Sequence, residues 1–152
     1  MKKHLASGLI VLLGLVLAAC SSAAPATNAS ASNASAPVSG ADLTQTKDEA
    51  AVTVKVTPLN LQDGSAATLD FKIALDTHSV DLSYDLTAIA TLRSEVGEEA
   101  KPAKWDGPGG GGHHREGVLS FPALKNRGQA LTLVLRGIAD VPERTFVWSV
   151  ID

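Results

Sequence analysis

From residue 52 onward, apolar and polar side chains alternate along the chain. Val52, Val54 and Val56 are separated by Thr53 and Lys55, with Thr57 following; Leu69, Phe71, Ile73 and Leu75 are separated by Asp70, Lys72 and Ala74. Successive side chains of a strand point to opposite faces, so a period of two predicts two strands with one face in a core and one in water. Gln62-Asp63-Gly64-Ser65 lies between them and carries turn chemistry, because Asp and Gly tolerate the positive φ of tight reversals. Further strands are predicted over Val118 to Phe121, over Leu131, Leu133 and Leu135, and over Phe146, Trp148 and Val150. Asn126-Arg127-Gly128 and Asp140-Val141-Pro142-Glu143 divide these as turns. The apolar residues of Leu82 to Leu92 fit a strand or a short helix equally well, and the preferred reading is a strand over Ala88 to Arg93. About six or seven short strands separated by turns read as an all-β fold, an antiparallel immunoglobulin-like β-sandwich. The disulfide of antibody domains is absent, so that analogy is architectural only.

The start of the chain has a different pattern. Lys2, Lys3 and His4 form a basic head, and Leu5 to Ala19 is an uncharged run of mostly apolar residues. Such a run falls short of the roughly 20 residues of a membrane-spanning helix and has the layout of a cleaved secretory signal. It ends in Leu17-Ala18-Ala19-Cys20, which resembles the lipobox of bacterial lipoproteins. The resemblance covers only the opening of the chain. It implies that residues 1–19 are removed and that Cys20 receives a diacylglyceryl group and becomes the first residue. It also implies an extracytoplasmic protein anchored to a bacterial membrane. With Ser21 next, sorting would favour the outer membrane in a Gram-negative host, and otherwise the outer face of the cell membrane. From Ser21 to about residue 46 the chain is almost entirely Ala, Ser, Asn, Thr, Pro and Gly, which buries too little to fold and reads as a flexible linker. The expected division is therefore 1–19 signal, 20–46 lipidated terminus and linker, and 47–152 sandwich.

Composition narrows the function classes. Two of the 13 basic residues, Lys2 and Lys3, lie in the leader, so 11 face 16 acidic residues in the mature chain, a net charge of −5. This argues against nucleic acid as a partner. Cys20 is the only cysteine, so the domain forms no internal disulfide and relies on its core.

Ser94 to Glu116 interrupts the strand rhythm. It reads as a loop of about 23 residues, long enough to suggest function, and carries Trp105, Asp106, four consecutive glycines from Gly109 to Gly112, and His113-His114-Arg115. Imidazoles are ligands for zinc, copper(II) or nickel, and His78, Asp76, Asp81 and Asp106 could complete such a divalent-metal site with His113 and His114 if the fold gathers them. Neighbouring histidines on a regular strand face opposite ways, so the bland reading is one packed histidine and one in water. Trp105 and Arg115 are the candidate contacts for another envelope protein.

Asp76-Thr77-His78-Ser79 contains the residue types of a hydrolase, but they are too close in sequence for relay geometry, and the chain has no serine elbow. The alternative is that they satisfy backbone groups where a strand turns a corner. No catalytic motif stands out, and an enzyme is not expected. Phe146 and Trp148 are expected in the core, with Arg144 at the strand's mouth pairing with an acidic loop residue. Asp76 to Ser79, Trp105, Gly112 to Phe121 and Glu143 to Trp148 together resemble a small exported bacterial domain, a resemblance that supplies no activity. The expectation is an anchored binding or interaction module of the cell envelope, with divalent-metal binding as the alternative and hydrolysis as the third reading.

Overall fold

Alternation becomes two packed antiparallel sheets, an all-β sandwich. The computed structural model describes residues 43–150, so the lipobox and Cys20 lie outside the described residues. The nine described strands are β1 (Gln45–Glu49), β2 (Val52–Pro58), β3 (Thr68–Thr77), β4 (Ala90–Ser94), β5 (Glu99–Ala100), β6 (Lys104–Asp106), β7 (His114–Pro122), β8 (Ala130–Leu135) and β9 (Arg144–Ser149). One sheet has the order β1-β2-β3-β7-β6 and the other β5-β4-β8-β9.

The apolar sets fall on the inner faces as their period requires. Val52, Val54, Val56, Leu69, Phe71, Ile73 and Leu75 of the first sheet meet Leu92, Leu131, Leu133, Phe146 and Trp148 of the second, all buried. Phe71 of β3 packs on Trp148 of β9 at 5.4 Å between ring centroids and on Phe121 edge-on at 5.7 Å, which couples the sheets through one aromatic contact group. Each such pair contributes about 0.5–1.5 kcal/mol beyond the area it buries.

Four sequence expectations are corrected. The chain enters the sheet at Gln45, inside the stretch read as linker, and this gives one strand more. The 23-residue loop contains β5 and β6, and β7 begins at His114 rather than Val118. Leu82 to Leu92 resolves into both of its alternatives: the single helical turn α1 (Leu86–Ile89), capped by the Asp85 carboxylate at the Thr87 N–H, leads directly into β4. Arg144 is buried rather than at a mouth, and its acidic neighbour Glu49 ends β1.

The β1–β2 hairpin turns through Ala50 and Ala51 at φ 49° and 62°. Ala139 and Asp140, at φ 50° and 59°, make a second such turn between the bridged residues Ile138 and Val141. Two left-handed residues in succession match the twist of a two-residue hairpin, at a steric cost for residues other than glycine. Thr77 and the 107–113 connection lie at the same end of the sandwich as these two turns, because the Thr77 N–H donates to the His113 carbonyl, Thr77 pairs with Val52 just after the first turn, and Arg144 joins Glu49 to Ile138. The opposite end carries the entering residue Leu43, the 59–67 loop and the 123–129 loop.

Candidate functional site

The pairing of β3 with β7 places Asp76 directly opposite His114, on the outer face of the first sheet. His114 Nδ1 lies 2.6 Å from Asp76 Oδ1, and Lys55 Nζ approaches the other carboxylate oxygen at 3.8 Å. Thr53 of β2 continues the row beside Asp76 and donates its hydroxyl to Asp48 of β1 at 3.2 Å. Both partners of the histidine pair are about half exposed, 60% and 40%, so their attraction is screened and contributes under about 1 kcal/mol. Beside the row lies a depression of about 590 Å³, lined by Asp48, Thr53, Asp76, Thr77, His78 and His113.

Of the residues considered as metal ligands, the fold therefore brings Asp76 and His114 into contact and sets His78 and His113 beside the same depression. Asp106 is elsewhere, on β6, paired with Lys104 at 3.3 Å and in register with Val118. Asp81 is exposed on the segment before α1. Among the described residues, no three His, Cys, Asp or Glu side chains converge in a group able to hold a metal ion.

The short Asp-Thr-His-Ser run serves its corner. Thr77 donates its hydroxyl to the Ala51 carbonyl at 2.7 Å, and its oxygen accepts the N–H groups of Ser79 and Val80 at 3.3 and 3.2 Å. The carboxylate that would have to orient His78 in a relay is bonded to His114 instead.

Trp105 and Arg115, expected at the surface, form a structural clamp. Arg115 is 2% exposed. Its Nε donates to the Pro108 carbonyl at 3.0 Å and its Nη1 to the carbonyls of Leu82 and Tyr84. The guanidinium carbon sits 5.1 Å from the Trp105 ring centre, and the indole N–H donates to the same Pro108 carbonyl at 2.9 Å. One cation thus ties the segment before α1 to the glycine-rich connection. Burial lowers the Arg115 pKa from its usual value, with the Asp85 charge opposing that shift; arginine nonetheless stays charged.

The glycines belong to this clamp. A Cβ on Gly117 would stand 2.6 Å from the Asp106 carbonyl and 2.7 Å from the Trp105 ring, so the indole lies directly over bare backbone. Gly110, at φ 141°, passes so close to Ser83 that a Cβ would be 2.9 Å from its Cα. Close passage, not slack, explains these two positions.

Sequence reasoning missed a second cluster at the opposite end. Glu98 accepts the backbone N–H groups of Lys125 and Asn126 at 3.0 and 2.9 Å, and Glu95 accepts that of Gln129 at 2.9 Å. Arg127 reaches across to the carbonyls of Asp63 at 2.8 Å and Leu61 at 3.4 Å. The hydrogen bonds from Lys125 and Asn126 hold the Glu98 carboxyl below its usual pKa. Turn residues alone marked this loop in the sequence, and nothing local linked it to glutamates some 30 positions earlier. Compared with protein families, with curated proteins and with solved structures, the chain finds no match.

Proposed function

We propose that the chain is a lipid-anchored extracytoplasmic module that acts by binding, with the membrane as one partner through Cys20 and an envelope protein or small ligand as the other. The observation that carries this reading is Leu17-Ala18-Ala19-Cys20 at the end of an uncharged, Leu-rich run, about 25 residues ahead of a sandwich that begins at Gln45. A lipid on that cysteine holds the domain at a membrane surface, and the Ala/Ser-rich stretch gives it reach. Of the residues that suggested catalysis, Thr77 is engaged in its corner and Asp76 with His114 rather than His78, which supports binding over chemistry. The test is fatty-acid labelling in the native cells: the wild-type chain incorporates label into the membrane fraction, and Cys20→Ala does not.

A second reading is kept because of one contact. Metal-binding histidines commonly have their ring fixed by a carboxylate on the other nitrogen, and Asp76 stands in that relation to His114, near His113 and His78. Zinc, copper(II) or nickel would then raise the melting temperature, and His113→Ala with His114→Ala would abolish the rise. No shift with any of the three ends this reading.

A further inference from the structure

We propose that the outer edge of β9 pairs with the same edge of a second copy of the chain, antiparallel about Val147, so that the two copies share one continuous sheet. This goes beyond the binding-module reading by naming a partner, and it does not depend on a lipid at Cys20.

The hydrogen bonds at Val147 fix which way this edge faces. Its N–H donates to the Gln45 side-chain oxygen at 3.3 Å and its carbonyl accepts from the Gln45 amide, so both groups point away from β8. Every second residue of an antiparallel strand shares that direction, so the N–H and carbonyl groups of Thr145 and Ser149 point outward too. Among the described residues, no backbone group outside β8 bonds to either residue.

The other described sheet edges are guarded. β5 and β6 have two and three residues, and β1 carries Lys47, Asp48 and Glu49. Shortness and charge are the ordinary protections against strand addition. After the buried Arg144, β9 has neither: Thr145-Phe146-Val147-Trp148-Ser149 holds no charge and no proline, and Val147 at its centre is 52% exposed.

This run mirrors itself about Val147, which favours a second copy over a foreign strand. A buried aromatic residue, Phe146 or Trp148, stands on either side, and a hydroxyl residue, Thr145 or Ser149, stands beyond each. A two-fold axis through Val147 therefore sets valine against valine and Thr145 against Ser149, with about six backbone bonds across the pair. Gln45 gives up its bonds to Val147, which are exposed to water, and the paired valines bury apolar surface that a single chain leaves wet. One strand pair covers less area than a permanent interface, so the dimer should form in roughly the micromolar range.

The test is sedimentation equilibrium of the full-length Cys20→Ala chain in density-matched detergent, from about 5 to about 500 μM. A reversible monomer–dimer equilibrium is expected. Val147→Lys sets like charges against each other across the two-fold axis and should weaken the dimer by roughly tenfold or more. Gln45→Ala removes the competing side chain and should tighten it several-fold. Circular dichroism checks that both variants are folded. A short bismaleimide added to the Cys20→Ala chain should join copies carrying Val147→Cys but not copies carrying Lys72→Cys, which lies on the outer face of the other sheet. A monomer at every concentration overturns the proposal. So does an undiminished dimer of folded Val147→Lys, a looser dimer of folded Gln45→Ala, or cross-linking of Lys72→Cys as fast as that of Val147→Cys.

Discussion

Arg144 donates from Nη2 to the backbone carbonyl of Glu49, 95 residues earlier, at 2.7 Å. Its Nη1 donates to the Ile138 carbonyl, also at 2.7 Å. Glu49 and Ile138 each immediately precede a left-handed two-residue turn, so a single buried guanidinium fastens the entry of both turns and joins the edge strands of opposite sheets. Gln45 reinforces this seam: its side-chain amide donates to the Val147 carbonyl and accepts from the Val147 N–H, as an added strand would. The seam covers part of a sheet edge that would otherwise present unpaired backbone.

The carbonyl bonds, not the ion pair, carry the energy of this seam. Arg144 Nε comes within 3.5 Å of the Glu49 carboxylate but makes no hydrogen bond, and that carboxylate is 42% exposed. Glu49→Gln should therefore cost less than about 1 kcal/mol. Arg144→Met loses two charge-assisted bonds in a buried setting and should cost about 3 kcal/mol. Urea unfolding of both variants checks the contrast; equal losses would show that the ion pair dominates.

The Ala50–Ala51 turn stores strain that substitution can release. Replacing the pair by Asn-Gly suits positive φ at both positions and should stabilise the fold by about 1 kcal/mol, raising the melting temperature by several degrees. A lower melting temperature would show that the alanines make contacts that matter more than their backbone strain.

Gly117 and Gly64 should respond oppositely to a methyl group. At Gly117 the added carbon meets a backbone carbonyl and the Trp105 ring, while at Gly64 nothing lies within 4 Å and φ is not in the left-handed region. Gly117→Ala should cost about 2 kcal/mol or more and alter tryptophan fluorescence, whereas Gly64→Ala should be nearly neutral. Equal behaviour would contradict the packing of the Trp105 clamp.

Acid should loosen the loop at the opposite end. Asp63 is held below its usual 3.8 by bonds from Ser65, and Glu98 below its usual 4.5 by bonds from Lys125 and Asn126. A carboxylate with a lowered folded-state pKa gives stability that is full above the unfolded value and is lost as pH falls through the folded value. The loss contributed by Glu98 should thus begin near 4.5 and continue below it, and Glu98→Gln should flatten that part of the profile. Urea midpoints followed from about pH 6 to pH 2 read this directly; an unchanged slope in the variant would refute it.

The long strands were legible because a half-buried strand writes its orientation into every second residue, as in Val52 to Val56 and Leu69 to Leu75. β1 was not, since Gln-Thr-Lys-Asp-Glu at a sheet edge has no buried set and pairs through its backbone. β5 and β6, at two and three residues, are too short to show any period. The candidate residues were visible as types, but their pairing was not. Asp76 meets His114 only through the β3–β7 register, and the burial of Arg115 depends on carbonyls supplied by segments about 7 and 30 residues away. The corner role of Thr77 was readable because its partners include Ser79 and Val80, its own neighbours.

The anchored-module account is tested most directly by intact-mass and N-terminal peptide mass spectrometry of the protein purified from its own cells. The account predicts a chain that starts at Cys20 and carries diacylglyceryl on its sulfur. A chain that still starts at Met1, or a Cys20 with an unmodified thiol, would contradict it.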